Sequence, residues 1–313
     1  MSHGTDEASQ FKPVISTHIA DDGREHSYAL VRHPSATRLA VHFSAFFTRD
    51  ESSKHVGEEF RGYFHRLKML GSDPRFHWLF LCDQYGAEKN GSYYIGERGD
   101  AFVERAISDI LEHVWSTLAV PKQSTFMIGS SMGATGALKF GLGHSVKGIV
   151  AICPHIDLDT CAALTNRRRN VEAICPDSDA LAPHNYRYTR QIRSLLDAWP
   201  NGKPLPRLFI QDCADDKGVY REQVVPFVEA WEAHGGDVTL DLRASGGHTS
   251  AWATRPLLLD VLGRLANDDP IPVHAYQRDA NFAGTLPRRD LVLEAKRLAV
   301  RLRDGLGNRM RKG

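Results

Sequence analysis

The chain has 313 residues, 42% of them hydrophobic and 25% charged, with a formal net charge of +1. That length can bury a sizeable core as one large domain or two small ones, and the balance gives no general drive toward nucleic acid or membrane. No stretch approaches the ~20 apolar residues of a membrane span. The opening MSHGTDEASQ lacks the charged start and apolar run of a signal peptide, so a cytoplasmic location is expected. Cys82, Cys153, Cys161, Cys175 and Cys213 form no CxxC pair, and their odd number suits free thiols in a reducing compartment better than disulfides or a metal site.

In chain order, residues 1–25 read as an N-terminal extension. HSYALVR (26–32) and RLAVHF (38–43) are β-rich runs separated by a turn. Phe60, Tyr63, Phe64, Leu67 and Leu70 follow helical spacing that stops at Gly71. HWLFLC (77–82) has the continuous apolar character of a buried strand. Asp100 is placed to cap a helix whose stripe runs from Phe102 to Leu118, with Pro121 beyond its end. STFMIG (124–129), a small-residue helix to about Leu142 and KGIVAI (147–152) come next. RLFIQ (207–211), a helix near 220–234, DVTLDL (237–242) and a helix near 250–266 continue the alternation. Strand and helix in turn predict an α/β domain over 26–266, with a mostly parallel central sheet covered by helices on both faces. Residues 154–200 break the rhythm with several prolines and one helical stretch, near 189–199. They read as a lid-like insertion, or else as a surface loop over the sheet edge.

GSSMGATGAL (129–138) carries the chemistry. A serine hydroxyl stands clear of a sheet only if the strand turns very sharply into a helix, and that turn excludes side chains two residues before and after it. Gly129 and Gly133 flank Ser131 in that way, with a strand before and a helix behind. Ser131 is therefore the expected nucleophile, and Ser130 beside it the control position. A serine nucleophile needs a base, and the base an orienting carboxylate; in such sheets they follow in the order nucleophile, acid, histidine. DCADDKG after RLFIQ offers Asp212, Asp215 and Asp216. Asp212 lies too close to the strand end, so Asp215 is preferred, with Asp216 its near-equal. His248, in the glycine-flanked loop RASGGHTSAW after DVTLDL, meets both the order and the loop requirement. For the oxyanion, the N–H of Met132 follows the nucleophile, and the second donor is expected in SAFF, at Ala45 with Phe46 next.

These residues and their contexts resemble the α/β-hydrolases. The resemblance implies an acyl-enzyme mechanism, and one departure is that Phe43 and Ser44 stand where the family's oxyanion loop usually has HG. A narrower likeness rests on DQYGAEKNGSYYIGERGD (83–100) and HFSAFF. These are similar to segments of α/β-hydrolase-like proteins of bacterial surface-glycan pathways, including capsule biosynthesis proteins and the accessory Sec glycan O-acetyltransferase component. That likeness implies a glycan ester as substrate. Asp83, Tyr93 and Tyr94 would line the site against a sugar, or else pin a turn and pack the following helix.

No P-loop, dinucleotide fingerprint or HExxH is present in the sequence, so no cofactor and no metal are expected. Asn90, Gly91 and Ser92 form a glycosylation acceptor that a chain without a secretion signal would not use. Arg167 to Arg169, in NRRRN, read as a solvated basic run or as contacts to an acidic substrate. Residues 267–313 read as a linker and a basic amphipathic helix: Leu291, Ala295, Leu298 and Leu302 share one face, and 286–313 hold nine Lys or Arg against three Asp or Glu. This helix is expected to pack on the domain or on a second copy in a homo-oligomer, with membrane-surface contact the lesser alternative. A non-catalytic scaffold in a polysaccharide assembly complex is the alternative to an enzyme.

Overall fold

The computed structural model describes residues 13–47, 63–87 and 89–272. Eight strands form one sheet: β1 (Val14–Ile19), β2 (Glu25–Val31), β3 (Leu39–Phe43), β4 (His77–Leu81), β5 (Thr125–Ser130), β6 (Gly148–Ile152), β7 (Arg207–Cys213) and β8 (Val238–Arg243). Their spatial order is β1-β2-β4-β3-β5-β6-β7-β8. β2 is antiparallel to β1 and to β4, and the remaining pairs are parallel.

The central strands LAVHF, HWLFL and GIVAI are buried at every position, as strands covered on both faces must be. Period-two alternation sends their side chains into two cores. Leu39, Val41, Leu79, Leu81, Met127, Ile149 and Ile210 face one core, and Ala40, Trp78, Phe80, Phe126, Ile128 and Val150 face the other. The first core is closed by α2 (Phe102–Leu118), α3 (Met132–His144) and α8 (Val225–Ala233), the second by α1 (Leu67–Leu70) and α9 (Arg255–Asn267). The stripe of α2 is the expected one, with Phe102, Val103, Ala106, Ile107, Ile110, Leu111, Val114 and Trp115 buried. Its cap is not: Ala101 occupies the N-cap, while the Asp100 carboxylate accepts hydrogen bonds from Arg105 at 2.7 Å and Arg24 at 3.4 Å.

Three boundaries shift. The sheet begins at β1, inside the expected N-terminal extension, because VISTHI pairs with β2 through its backbone while its side chains stay mostly exposed. The helix expected over 60–70 is helical only from Leu67 among the described residues, and Phe60 lies outside them. The 154–200 segment holds four short α-helices where one helix was expected: α4 (Leu158–Leu164), α5 (Arg168–Glu172), α6 (Tyr186–Thr189) and α7 (Gln191–Asp197). It packs on the domain as a cap, with Leu158, Cys161, Val171, Ile174, Ile192 and Leu196 in the first core. Arg98 and Gly99 donate backbone hydrogen bonds to Ala173 and Ile174, and Arg190 and Arg193 pair with Asp159 and Asp157. The basic C-terminal helix expected beyond residue 286 lies outside the described residues.

Candidate active site

At the carboxyl edge of the sheet β5 turns directly into α3. Ser131, at the turn, has φ 54° and ψ −121°, a conformation an L-residue enters at a cost of about 1–3 kcal/mol. The two glycines are required by contact: a Cβ on Gly129 would collide with the Gly133 carbonyl, and one on Gly133 with the carbonyl of Phe43 at the end of β3. The serine hydroxyl thus sits at the N-terminus of a thirteen-residue helix, facing the loops that follow β7 and β8.

Those loops bring it partners. His248 Nε2 lies 2.8 Å from Ser131 Oγ, and His248 Nδ1 lies 2.8 Å from Asp216 Oδ2. The contact expected of Asp215 is therefore made by Asp216. β7 runs on to Cys213, and the Asp216 N–H closes a turn on the Cys213 carbonyl at 3.0 Å, which turns Asp216 into the interior and leaves Asp215 exposed. Asp215 instead accepts the Gly247 N–H at 2.7 Å, fixing the backbone next to His248.

Behind Asp216 lies a second carboxyl. Asp212 is fully buried, and its Oδ1 accepts the Cys213 N–H at 2.8 Å. Burial, and then the charge of Asp216, push its carboxyl well above the usual range. Cys153 completes the cluster: ligand atoms of Cys153, Asp212 and Asp216 lie within 4.8 Å of one another, the spacing a metal ion would need. The donor set suits a cation poorly, because burial raises the Cys153 thiol as well, its Sγ donates to the Thr249 carbonyl at 2.8 Å, and Asp216 is engaged by His248.

Ser130 is not an inert neighbour. Its hydroxyl accepts a 2.7 Å hydrogen bond from the guanidinium of Arg66, a buried side chain whose pKa burial lowers to about 10. His155 was not singled out in the sequence. It is buried, its ring stacks on that of His248 with centroids 4.6 Å apart and planes 8° apart, and its Nδ1 lies 3.1 Å from the Tyr93 hydroxyl. Burial holds His155 well below the usual histidine range, hence neutral, and its place in the loop just after β6 was the only signal available.

Neither Met132 nor Ala45 donates its backbone N–H to another described residue. The packing of Gly133 against the carbonyls of Phe43 and Ser44 sets the Ala45 segment beside the start of α3. The loop 83–94 holds this arrangement. Asp83 accepts hydrogen bonds from the N–H groups of Tyr85, Ser92 and Tyr94 and from the Ser92 hydroxyl, at 2.6 to 3.2 Å. The Tyr94 hydroxyl donates to the Ser44 carbonyl at 2.9 Å and Asn90 to that of Phe47 at 3.1 Å. Asp83, Tyr93 and Tyr94 are therefore interior residues, at most 1% exposed, and do not line the site as expected for sugar contacts. They brace the segment that carries Ala45, and the Tyr93 ring stands edge-on to Phe46 at 5.0 Å.

A cavity of about 450 Å³ opens beside His248, lined also by His155, Asn166, Arg167, Lys217 and Val219. The sheet order, the serine turn and the placement of acid and histidine after β7 and β8 form one known architecture. The chain has the α/β-hydrolase fold. Solved structures agree. The capsule O-acetyltransferase of Neisseria meningitidis serogroup A matches with a TM-score of 0.59 at 18% identity, over 77% of this chain and 95% of that one. The Glycosylation Associate Protein complex from Streptococcus agalactiae matches with a TM-score of 0.57 at 16% identity, over 81% of this chain and 45% of that one. An S-formylglutathione hydrolase from Agrobacterium tumefaciens gives 0.55 at 15%, over 81% and 94%. No family model and no curated protein matches the sequence.

Proposed function

We propose that the protein is a serine-dependent acyl hydrolase or O-acyltransferase working through an acyl-enzyme. In this reading Ser131 is the nucleophile, His248 the general base and Asp216 the carboxylate that orients it. What carries the reading is the bridge from Asp216 through His248 to Ser131, with both contacts at 2.8 Å, ending on a strained serine at a helix N-terminus. A scaffold would have no physical use for that strain.

The geometry supports a two-step reaction. Ser131 Oγ attacks the ester carbonyl carbon while His248 Nε2 takes the hydroxyl proton, and the N–H groups of Met132 and Ala45 receive the oxyanion. The intermediate collapses, the C–O bond to the alcohol breaks, and the imidazolium returns its proton to the departing oxygen. An incoming hydroxyl, from water or a sugar, then gives its proton to His248 as it attacks the acyl-enzyme and frees Ser131. Asp216 pairs with the imidazolium throughout. A surface glycan as the acceptor is the narrower proposal. It rests on the 83–100 segment and on fold likeness to a capsule O-acetyltransferase and a glycosylation complex.

Labelling with a fluorophosphonate probe tests the reading. Wild type is expected to label and to turn over p-nitrophenyl acetate, while Ser131→Ala loses both. A wild-type protein that neither labels nor turns over the ester would overturn it in favour of a scaffold.

A further inference from the structure

Resting on that reading, we infer that the alcohol part of the substrate carries an anion, a carboxylate or a phosphate, and that Arg167 binds it with help from Lys217. The cavity adjoins His248 and His155 and does not include Ser131 or Met132. In acyl transfer the departing alcohol takes its proton from the histidine, so a cavity on the histidine's side receives the alcohol part and not the acyl group.

The arginine in that cavity is held against an aromatic ring. Its guanidinium carbon stands 4.8 Å from the centroid of Phe46, on the same segment as Ala45, in a cation–π contact. Neighbouring arginines of the cap are committed: Arg168 to Glu172 at 2.7 Å, Arg190 to Asp159 at 2.6 Å and Arg193 to Asp157 at 3.0 Å. No carboxylate among the described residues pairs with Arg167 or Lys217. A half-buried guanidinium whose fork pairs with no carboxylate among the described residues is the group that grips planar carboxylates and phosphates in two-point fashion.

The two acids on the cavity wall each have an oxygen engaged elsewhere. Asp216 is bound to His248 Nδ1 and Asp215 to the Gly247 N–H. Arg167 acts electrostatically on His155, Tyr93 and Cys161, and Asp215 acts on Cys213. The cap thus contributes a binding residue. Of the basic run 167–169, the first arginine is the one that lines the cavity.

The test compares acetylated glucose with acetylated glucuronate and with acetylated, phosphorylated glucose, following acetate release. Wild type is expected to favour both anionic esters by about tenfold or more in kcat/KM, mostly through KM. Arg167→Met should lower that ratio to near one, Arg167→Lys should restore part of it, and raised salt should erode it. In parallel, calorimetry on Ser131→Ala should detect glucuronate or phosphorylated glucose binding that the additional Arg167→Met change removes. Equal turnover of neutral and anionic esters by wild type, or binding indifferent to Arg167, overturns the inference. A preference for one anion alone identifies which group the site takes. Failure of the acyl-enzyme reading is separate: it shows as absent probe labelling, while the binding arm still reports on Arg167.

Discussion

At the residue scale, the adjacent aspartates separate by the direction each faces. Asp216→Asn keeps the size of the side chain but presents an amide where the Nδ1 hydrogen of His248 needs an acceptor of negative charge. A loss of about 10⁴-fold in kcat on p-nitrophenyl acetate is expected, with the fold intact. Asp215→Asn retains an oxygen for the Gly247 N–H and should cost about tenfold at most, the worth of one exposed hydrogen bond. Steady-state kinetics of the two variants decides, and a reversed ranking would return the role to Asp215. Sequence order placed both residues in the right loop and preferred Asp215, whereas the contact to His248 is made by Asp216. The choice depends on where β7 ends, and its last two residues, Asp212 and Cys213, do not read as strand because a carboxylic acid is rarely buried there. Asp212 is fully buried, and that burial, with the charge of Asp216, raises its carboxyl well above the usual range.

Among elements, those with an apolar pattern were legible and those held by polar contacts were not. The stripe of α2 and the runs of β3 to β6 announce themselves by burial period. β1 does not, since its pairing is backbone alone and its side chains are mostly solvated. The short helices of the cap carry too few residues each for a period to show. The loop 83–94 was recognisable as a feature, yet its tyrosines read equally as sugar contacts or as packing, because tyrosine serves both and only burial distinguishes them. Asp83→Ala separates these roles. It strips four donors of their acceptor inside the protein, at about 1–3 kcal/mol for each group left unpaired. The expected result is a lower thermal midpoint and a lower kcat on p-nitrophenyl acetate and sugar esters alike, because the Ala45 segment loses its brace. A rise in KM confined to sugar esters would instead restore Asp83 as a substrate contact.

For the whole molecule, the two cores enclose ionisable groups of both kinds, and their balance sets how stability depends on pH. His26, His42, His65, His77, His144 and His155 are all lowered by burial, His26 to about 4 and His65 to about 3, from an ordinary 6.5. Below pH 6.5 the unfolded chain protonates these groups and the folded chain does not, so the stability they permit is present above 6.5 and is lost as pH falls toward 4. Asp83, Asp157 and Asp212 are raised by burial and act oppositely: the fold keeps their protons, which favours it at low pH and less as pH rises. Six lowered histidines outweigh three raised acids between pH 4 and 6.5, so the urea midpoint should climb with pH across that window. Each net proton contributes a slope of up to about 1.4 kcal/mol per pH unit. His26 allows a clean subtraction. It packs against Tyr85 and Phe102 with ring centroids 5.1 and 6.2 Å away, and its Nε2 is buried without a partner among the described residues. After burial, the charges that act on it are His18, Asp22 and Arg24. His26→Phe keeps an aromatic ring there and removes the titration, so it should flatten the curve between pH 6.5 and 4 and exceed wild type in stability at pH 5. If the variant's midpoint ran parallel to that of wild type through the window, His26 would have to be protonated in the fold, and Asp22 would then be its partner.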